Sequence, residues 1–359
     1  MSRVAVKMDT DTTPVTGVEE LDKHLDELLE DPSLPPNPKL FDDVELQLTE
    51  ANTPPLIPRL LPKITDILKK YEQDPAHLCS LAIKLLGPVN FTQVLSLASE
   101  DAIIQALRST APSANILAMT VLEKAANSPA DAAILAMMNN VITNFLTQWL
   151  SAPQVEVGEK GGKVLGDLLD VDSDSRPPDG LSVNGTEIVV KKPIGQGLMW
   201  RRIFHDHDIY DVILSLCSQH GPLDIQQRSL AQGRLLRVLP RLSALNFRTL
   251  TSTDFTDLNA RYANINSNAG LLHFAALHMI DKEDLLMHLN LIDFFEALLS
   301  IQRITPFSAQ KIDTLKQLVR EATEQDNVLK AAIRSLPERT VPEEAEDLGR
   351  FVEQVLDLQ

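Results

Sequence analysis

A chain of 359 residues with a formal charge of −17, 44% hydrophobic side chains and 4% aromatic ones is longer than one compact core sustains and too apolar to be disordered throughout. The shortage of Tyr and Trp disfavours a β-sandwich or barrel, and the abundant Leu, Ala, Ile and Val suit helix packed on helix. Two cysteines, Cys79 and Cys217, cannot build a disulfide framework, and no signal peptide opens the chain. The longest apolar runs are broken before the roughly 20 residues a membrane span needs. The expectation is a soluble protein of a reducing compartment, the cytoplasm with the nucleus as a second location, in which the sequon Asn184-Gly185-Thr186 is inert.

The charge is unevenly placed. Residues 1–60 carry a net −8 and residues 341–359 a net −5, which leaves −4 for the whole of the middle. Nucleic-acid binding rests on clustered Lys and Arg neutralising phosphates, so direct contact with DNA or RNA is disfavoured while a basic protein partner is compatible.

In chain order, residues 1–16 read as a flexible tail and 17–61 as an N-terminal cap or arm. In the arm, Val18, Leu21, Leu25 and Leu28 recur at helical spacing until Asp31-Pro32, and a Pro-rich stretch leads to an acidic segment over 40–48. Helical repeats are expected over 62–171. Ile64, Ile67, Leu68 and Tyr71 form one apolar stripe from Pro62 onward, and Leu78, Leu81, Ala82, Leu85 and Leu86 a second. Ser99 is placed to cap the next helix, Pro112 or Ser113 to open another, and Ser128-Pro129 to start a long one through Leu135, Met138, Ile142, Phe145 and Trp149. Leu81-Ala82 and Leu117-Ala118 occupy matching places 36 residues apart, close to a HEAT or armadillo period.

Residues 172–197, with Pro177-Pro178, Asp179-Gly180 and Asn184-Gly185, fit no helix and read as a long inserted loop with a short hairpin, dividing the array. Repeats resume over 198–359, with units over 198–204, 209–217, 230–239, 271–279, 285–299, 312–329 and 351–356. A helix pair that is apolar on two faces buries both only by stacking on neighbours. The predicted fold class is therefore all-α, a curved HEAT/armadillo-like α-solenoid with a long inserted loop.

No motif supports catalysis. Gly158-Glu159-Lys160-Gly161-Gly162-Lys163 misses the spacing of a phosphate-binding loop, with Val157 and Val164 where Gly and Ser or Thr belong, so Gly161 and Gly162 are read as close-packing residues. His205-Asp206-His207-Asp208 is dense but cannot converge on one metal, and Asp206 or Asp208 fits better as a helix cap. His273, His278 and His288 sit in apolar helices without a nucleophile or orienting group. No enzyme activity, cofactor or metal is expected. Two features favour partner binding: Trp200-Arg201-Arg202, residue types enriched at interface hot spots, and Arg234, Arg237 and Arg241, which share one helix face suited to an acidic strip on a partner or on this chain's own tails.

The segments Ser96-Leu97-Ala98-Ser99-Glu100-Asp101, Lys163-Val164-Leu165-Gly166-Asp167-Leu168-Leu169 and Gly197-Leu198-Met199-Trp200-Arg201-Arg202-Ile203-Phe204 resemble a family of proteasome regulatory-particle assembly chaperones. That family has a fungal branch, whose yeast member was first named for DNA mismatch repair, and an animal counterpart called a proteasome non-ATPase regulatory subunit, the fifth. The likeness runs loosely from Pro62 to the C terminus. It implies a C-shaped ARM/HEAT solenoid, monomeric when free. The solenoid grips the C-terminal small domain of one AAA ATPase subunit of the proteasome base and releases it before the particle matures. The alternatives are a DNA mismatch repair accessory factor or another ARM/HEAT protein-binding scaffold.

Overall fold

A computed structural model describes residues 14–174 and 193–357. Most of the expected tail and the body of the expected insertion, including the Asn184-Gly185 hairpin, lie outside the described residues. Within them the chain is an all-α solenoid: α-helices joined by short turns, with no strand and a single isolated bridge between Ser252 and Ala269. The chain divides into two compact units, residues 1–124 and 125–359.

The first unit contains α1 (Val18–Glu30), α2 (Pro38–Glu45), α3 (Ile57–Leu68), α4 (Ala76–Leu85), α5 (Phe91–Leu97), α6 (Glu100–Leu107) and α7 (Pro112–Glu123). The helices start where capping chemistry places them. Asn37 accepts from the Leu40 amide, Asn90 and Gln93 form a reciprocal capping box, and Ser99 accepts from Ala102 as expected. Pro62 does not open α3. The helix begins at Ile57 with Pro58 in its first turn and carries Pro62 inside, at the cost of one backbone bond. Tyr71 falls beyond its end, and its hydroxyl donates to the Leu34 carbonyl.

The second unit holds α8 (Pro129–Ala136), α9 (Asn139–Ser151), α10 (Val155–Val171), α11 (Leu198–Phe204), α12 (His207–Cys217), α13 (Ile225–Leu245), α14 (Phe247–Thr251) and α15 (Thr256–Ala263). It continues with α16 (Leu271–His273), which runs into a π-helical turn (Phe274–His278), then α17 (Leu285–Ile304), α18 (Ala309–Thr323), α19 (Asn327–Ser335) and α20 (Pro342–Val355). Two expected stretches divide. The long helix after Ser128 breaks at Met138, whose φ of −90° and ψ of 70° are not helical, to give α8 and α9. The unit over 312–329 becomes α18 and α19, because the Asp326 carboxylate accepts from the Leu329 amide and starts a new helix.

The spacing of tertiary bonds makes the repeat visible. In the first unit, side chains reach backward over 35 residues (Ser80 to Glu45), 36 (Gln105 to Lys69) and 37 (Lys124 to Gly87). Towards the C terminus the separations are 38 (His288 to Asp326), 41 (Arg303 to Glu344) and 43 (Arg339 to Glu296). Across the inserted segment the separation rises to 66 (Arg202 to Ala136), one repeat plus the insertion. The stems of that insertion are closed: the Gly195 and Gly197 amides donate to the Ser173 and Asp172 carbonyls at 3.0 and 2.9 Å.

α10, α13 and α17 lie side by side and run in the same direction. Arg237 meets Glu159 and Arg241 meets Asp167, so positions on α10 and α13 advance together. Gly233 faces Asn290 and Gln302 reaches Ser243, so α13 and α17 do likewise. α9 and α12 pack beneath as the second layer, with Trp149, Phe145 and Tyr210 buried between. α17 is long and apolar enough to cross a membrane by length and composition, a property the broken apolar runs did not suggest. Met287, Leu291, Phe295, Leu298 and Leu299 on it are buried core residues.

Helix C-termini are closed by side chains from neighbouring helices. The last four carbonyls of a helix lack intrahelical donors, and left-handed residues follow only α15 (Asn264) and α20 (Asp357) among the described helices. Donors come from elsewhere. The Asn115 amide serves the carbonyls of Ala106, Leu107 and Ser109 at 3.0 Å each, Gln232 serves Cys217 at 2.8 Å, and Lys282 serves Ala322 at 2.9 Å. Such bonds tie a helix to its neighbour within a repeat, and the Lys282 bond, 40 residues long, ties one repeat to the next.

Candidate functional site

The six residues singled out in the sequence all fall in the second unit, and the fold uses them unequally. Trp200 is a core residue, 3% exposed, stacked on Phe204 with ring centroids 5.3 Å apart. Its indole N–H donates to the Leu169 carbonyl at 2.9 Å, closing the end of α10. The ring is therefore unavailable to a partner in this conformation. Its helix is itself started from a distance: the buried Asp172 carboxylate accepts from the Met199 amide at 2.6 Å and from the Gln196 amide at 3.2 Å.

Arg202 is half-buried. Its Nε donates to the Ala136 carbonyl at the end of α8 and its Nη1 pairs with Asp206, 2.8 and 2.7 Å away. Asp206 also accepts from the Ile209 amide and caps α12, so the His205–Asp208 cluster resolves into capping. His207 pairs with Asp257 at 2.9 Å, and that bond raises the imidazole above its ordinary pKa. No group of three ligands suited to a metal occurs among the described residues.

Arg201 stays exposed and, among the described residues, donates to the Gln196 carbonyl at 3.2 Å. It lines a cleft of about 520 Å³ with Ala136, Met137, Leu198, Arg202 and His205. Met137 is 70% exposed at its rim. The sequence reading missed Met137, which looks like one more member of an apolar helix. The helix break at Met138 turns it outward.

The arginine row of α13 meets an acidic row, but on α10 rather than on a tail. Arg237 pairs with Glu159, and Arg241 pairs with Asp167 at 2.8 Å. Burial pushes the Asp167 carboxyl up, but Arg241 and Lys163 outweigh it and hold it below its usual value. Arg234 turns inward to the carbonyls of Trp149, Leu150 and Gln154 at 2.8, 3.1 and 2.8 Å, and burial lowers its pKa. These contacts depend on missing side chains: a Cβ at Gly158 would collide with the Arg234 guanidinium and one at Gly166 with that of Arg241. A Cβ at Gly161 would lie 2.6 Å from Trp149 Cδ1, while at Gly162 the nearest atom is 3.6 Å away. Of the two glycines read as packing residues, Gly161 carries the close approach.

The first unit offers a separate cleft of about 700 Å³ between α3, α4, α6 and α7. Leu61, Ala82, Leu86 and Val121 floor it, and Lys69, Glu72 and Arg108 stand at its sides. Its mixture of an apolar floor and charged walls suits a protein segment, and nothing in it assembles a nucleophile with a base.

Residues 22–157 match the model of a family described as DNA mismatch repair protein HSM3, N terminal domain. No curated protein matches the chain.

Proposed function

We propose, from the match of residues 22–157 to the model of HSM3 N-terminal domains, that the protein is a non-enzymatic assembly chaperone of the proteasome regulatory particle. In this reading it holds the C-terminal small domain of one ATPase subunit of the base and releases it before the particle matures. The family match is the observation that carries the reading. The fold agrees with it: stacked helices offer extended surfaces, and transient holding needs no reacting groups. The mixed cleft of the first unit and the Met137–Arg201 corner of the second are the surfaces offered. The working compartment on this reading is the cytoplasm.

The test is a binding titration of the purified chain against the isolated small domains of the six base ATPases. The expected result is saturable 1:1 binding to one of them and none to the rest. Equal weak binding to all six, or to none, would remove the proposal. The name of the matched family favours a second reading, a DNA mismatch repair accessory factor. The net charge of −17 opposes direct DNA contact, and retention of duplex DNA at low salt with a steep salt dependence would revive it.

A further inference from the structure

Core packing does not account for all the apolar surface of the second unit. Leu285, Leu286 and Leu289 open α17 and are 72%, 65% and 50% exposed. Ile225 at the start of α13 is 72% exposed and Val328 at the start of α19 is 61% exposed. The three helices are parallel neighbours. Besides the α13–α17 pairing described above, His288 bonds Asp326 at 2.8 Å and Arg339 bonds Glu296, which sets α19 beside α17 in the same direction. All five side chains therefore stand at one edge, across three adjacent helix starts.

Acidic groups predominate among the polar residues around this row. Asp224, Asp281, Glu283 and Asp284 are exposed, and none of them pairs with a cation among the described residues. The cations beside it are engaged or set back: exposed Lys282 pairs with Asp326 and donates to Ala322, Arg228 donates to the Gln219 carbonyl, His288 is bound to Asp326, and Lys330, two residues past Val328, is half-buried. Helix N-termini lend partial positive charge that their capping carboxylates offset. The edge is thus an apolar row with an acidic rim.

We propose that this edge is a docking surface for a basic amphipathic helix of a protein partner. An occupant must cover the row with apolar side chains and bring Lys or Arg to the rim, which one helix face with flanking cations does. Three helices at interaxial distances of about 9 Å span roughly 18 Å, the length of about 12 residues of helix. The acidic rim disfavours an anionic lipid surface. The surface lies outside residues 22–157, and the inference stands independently of the chaperone reading.

The test uses the full chain and two labelled 14-residue probes of helical pattern, one of Leu and Lys and one of Leu and Glu, read by fluorescence anisotropy. The Lys probe should bind with 1:1 stoichiometry and at least tenfold more tightly than the Glu probe. The variant Leu285→Gln/Leu286→Gln/Leu289→Gln should weaken it at least tenfold, and the control Ile304→Gln/Phe307→Gln, which removes comparably exposed apolar groups at the other end of α17, should not. Asp281→Asn/Glu283→Gln, which touches no core residue, should flatten the salt dependence of binding even if the triple variant folds poorly. Undiminished binding in the triple variant with its fold intact, equal loss in the control, or unchanged salt dependence in the charge variant would overturn the proposal. So would a dimer of the parent chain that the triple variant dissolves, or capture of anionic vesicles through the same leucines.

Discussion

The Arg234 guanidinium lies 2.8 Å from the Trp149 carbonyl, and the same group reaches Leu150 and Gln154. One side chain of α13 thereby closes the C-terminal end of α9 and the start of α10. Gly158 provides the room.

Removing that group strands buried carbonyls, so Arg234→Ala is expected to cost about 2–3 kcal/mol. Arg234→Lys should recover only part of this, because an ammonium cannot reproduce the planar fork. Arg237, one turn away, is an exposed pair with Glu159, and Arg237→Ala should change stability by less than about 0.5 kcal/mol. Denaturant midpoints of the three variants check the order. Equal effects at 234 and 237 would mean that the inward bonds do not form.

Close packing on α10 makes a second expectation. A methyl group at Gly161 would press on Trp149 Cδ1 at 2.6 Å, whereas Gly162 has ordinary space. Gly161→Ala should destabilise by about 1–3 kcal/mol through overpacking, and Gly162→Ala should be neutral or stabilising because alanine favours helix. Thermal melts of the pair distinguish them.

Much of this architecture is legible in the sequence, and the limits are physical. Ser99, Ser128 and Asp206 announce helix starts because capping is a local interaction over three residues. The offset between Leu81 and Leu117 announces stacking because equivalent helices repeat their apolar faces, and α4 does lie beside α7. The roles of Trp200 and Arg234 are not legible. A buried indole capping α10 and an exposed interface Trp have the same sequence, and what decides between them is a carbonyl 31 residues away. The same holds for Met137, whose exposure follows from a backbone break that no Gly or Pro marks. The Arg234–Arg241 row showed its shared face in the sequence, but its acidic counterpart on α10 lies 74 to 78 residues away.

The ion cluster of the first unit sets an acid response. Asp22 sits between Arg59 and Lys63 at 2.8 Å from each. Burial pushes its carboxyl up, but bonds to Lys63 and Arg59 outweigh burial and hold it below its ordinary value. A depressed folded pKa means stability that is fully present above the unfolded value, near 3.9, and lost as pH falls through the folded one. Asp22→Asn should therefore lower the melting temperature at pH 7, and the gap to the parent should begin to shrink near the unfolded value of about 3.9 and narrow further as pH falls through the lower folded value. A gap independent of pH would show that charge is not its source.

Asp172 carries a further expectation. Its carboxylate holds the Met199 and Gln196 amides while its backbone carbonyl accepts from Gly197. Asp172→Ala should cost about 1–3 kcal/mol and should raise hydrogen exchange at the start of α11 above that of α13. Uniform exchange across both helices would argue against a local role.

Holding one base ATPase and then letting it go is tested most directly by separating a cell extract by size and following this chain with quantitative mass spectrometry. The account predicts co-migration with one ATPase in complexes smaller than the regulatory particle and depletion from the assembled proteasome. Equal stoichiometry in both, or migration with neither, would contradict it.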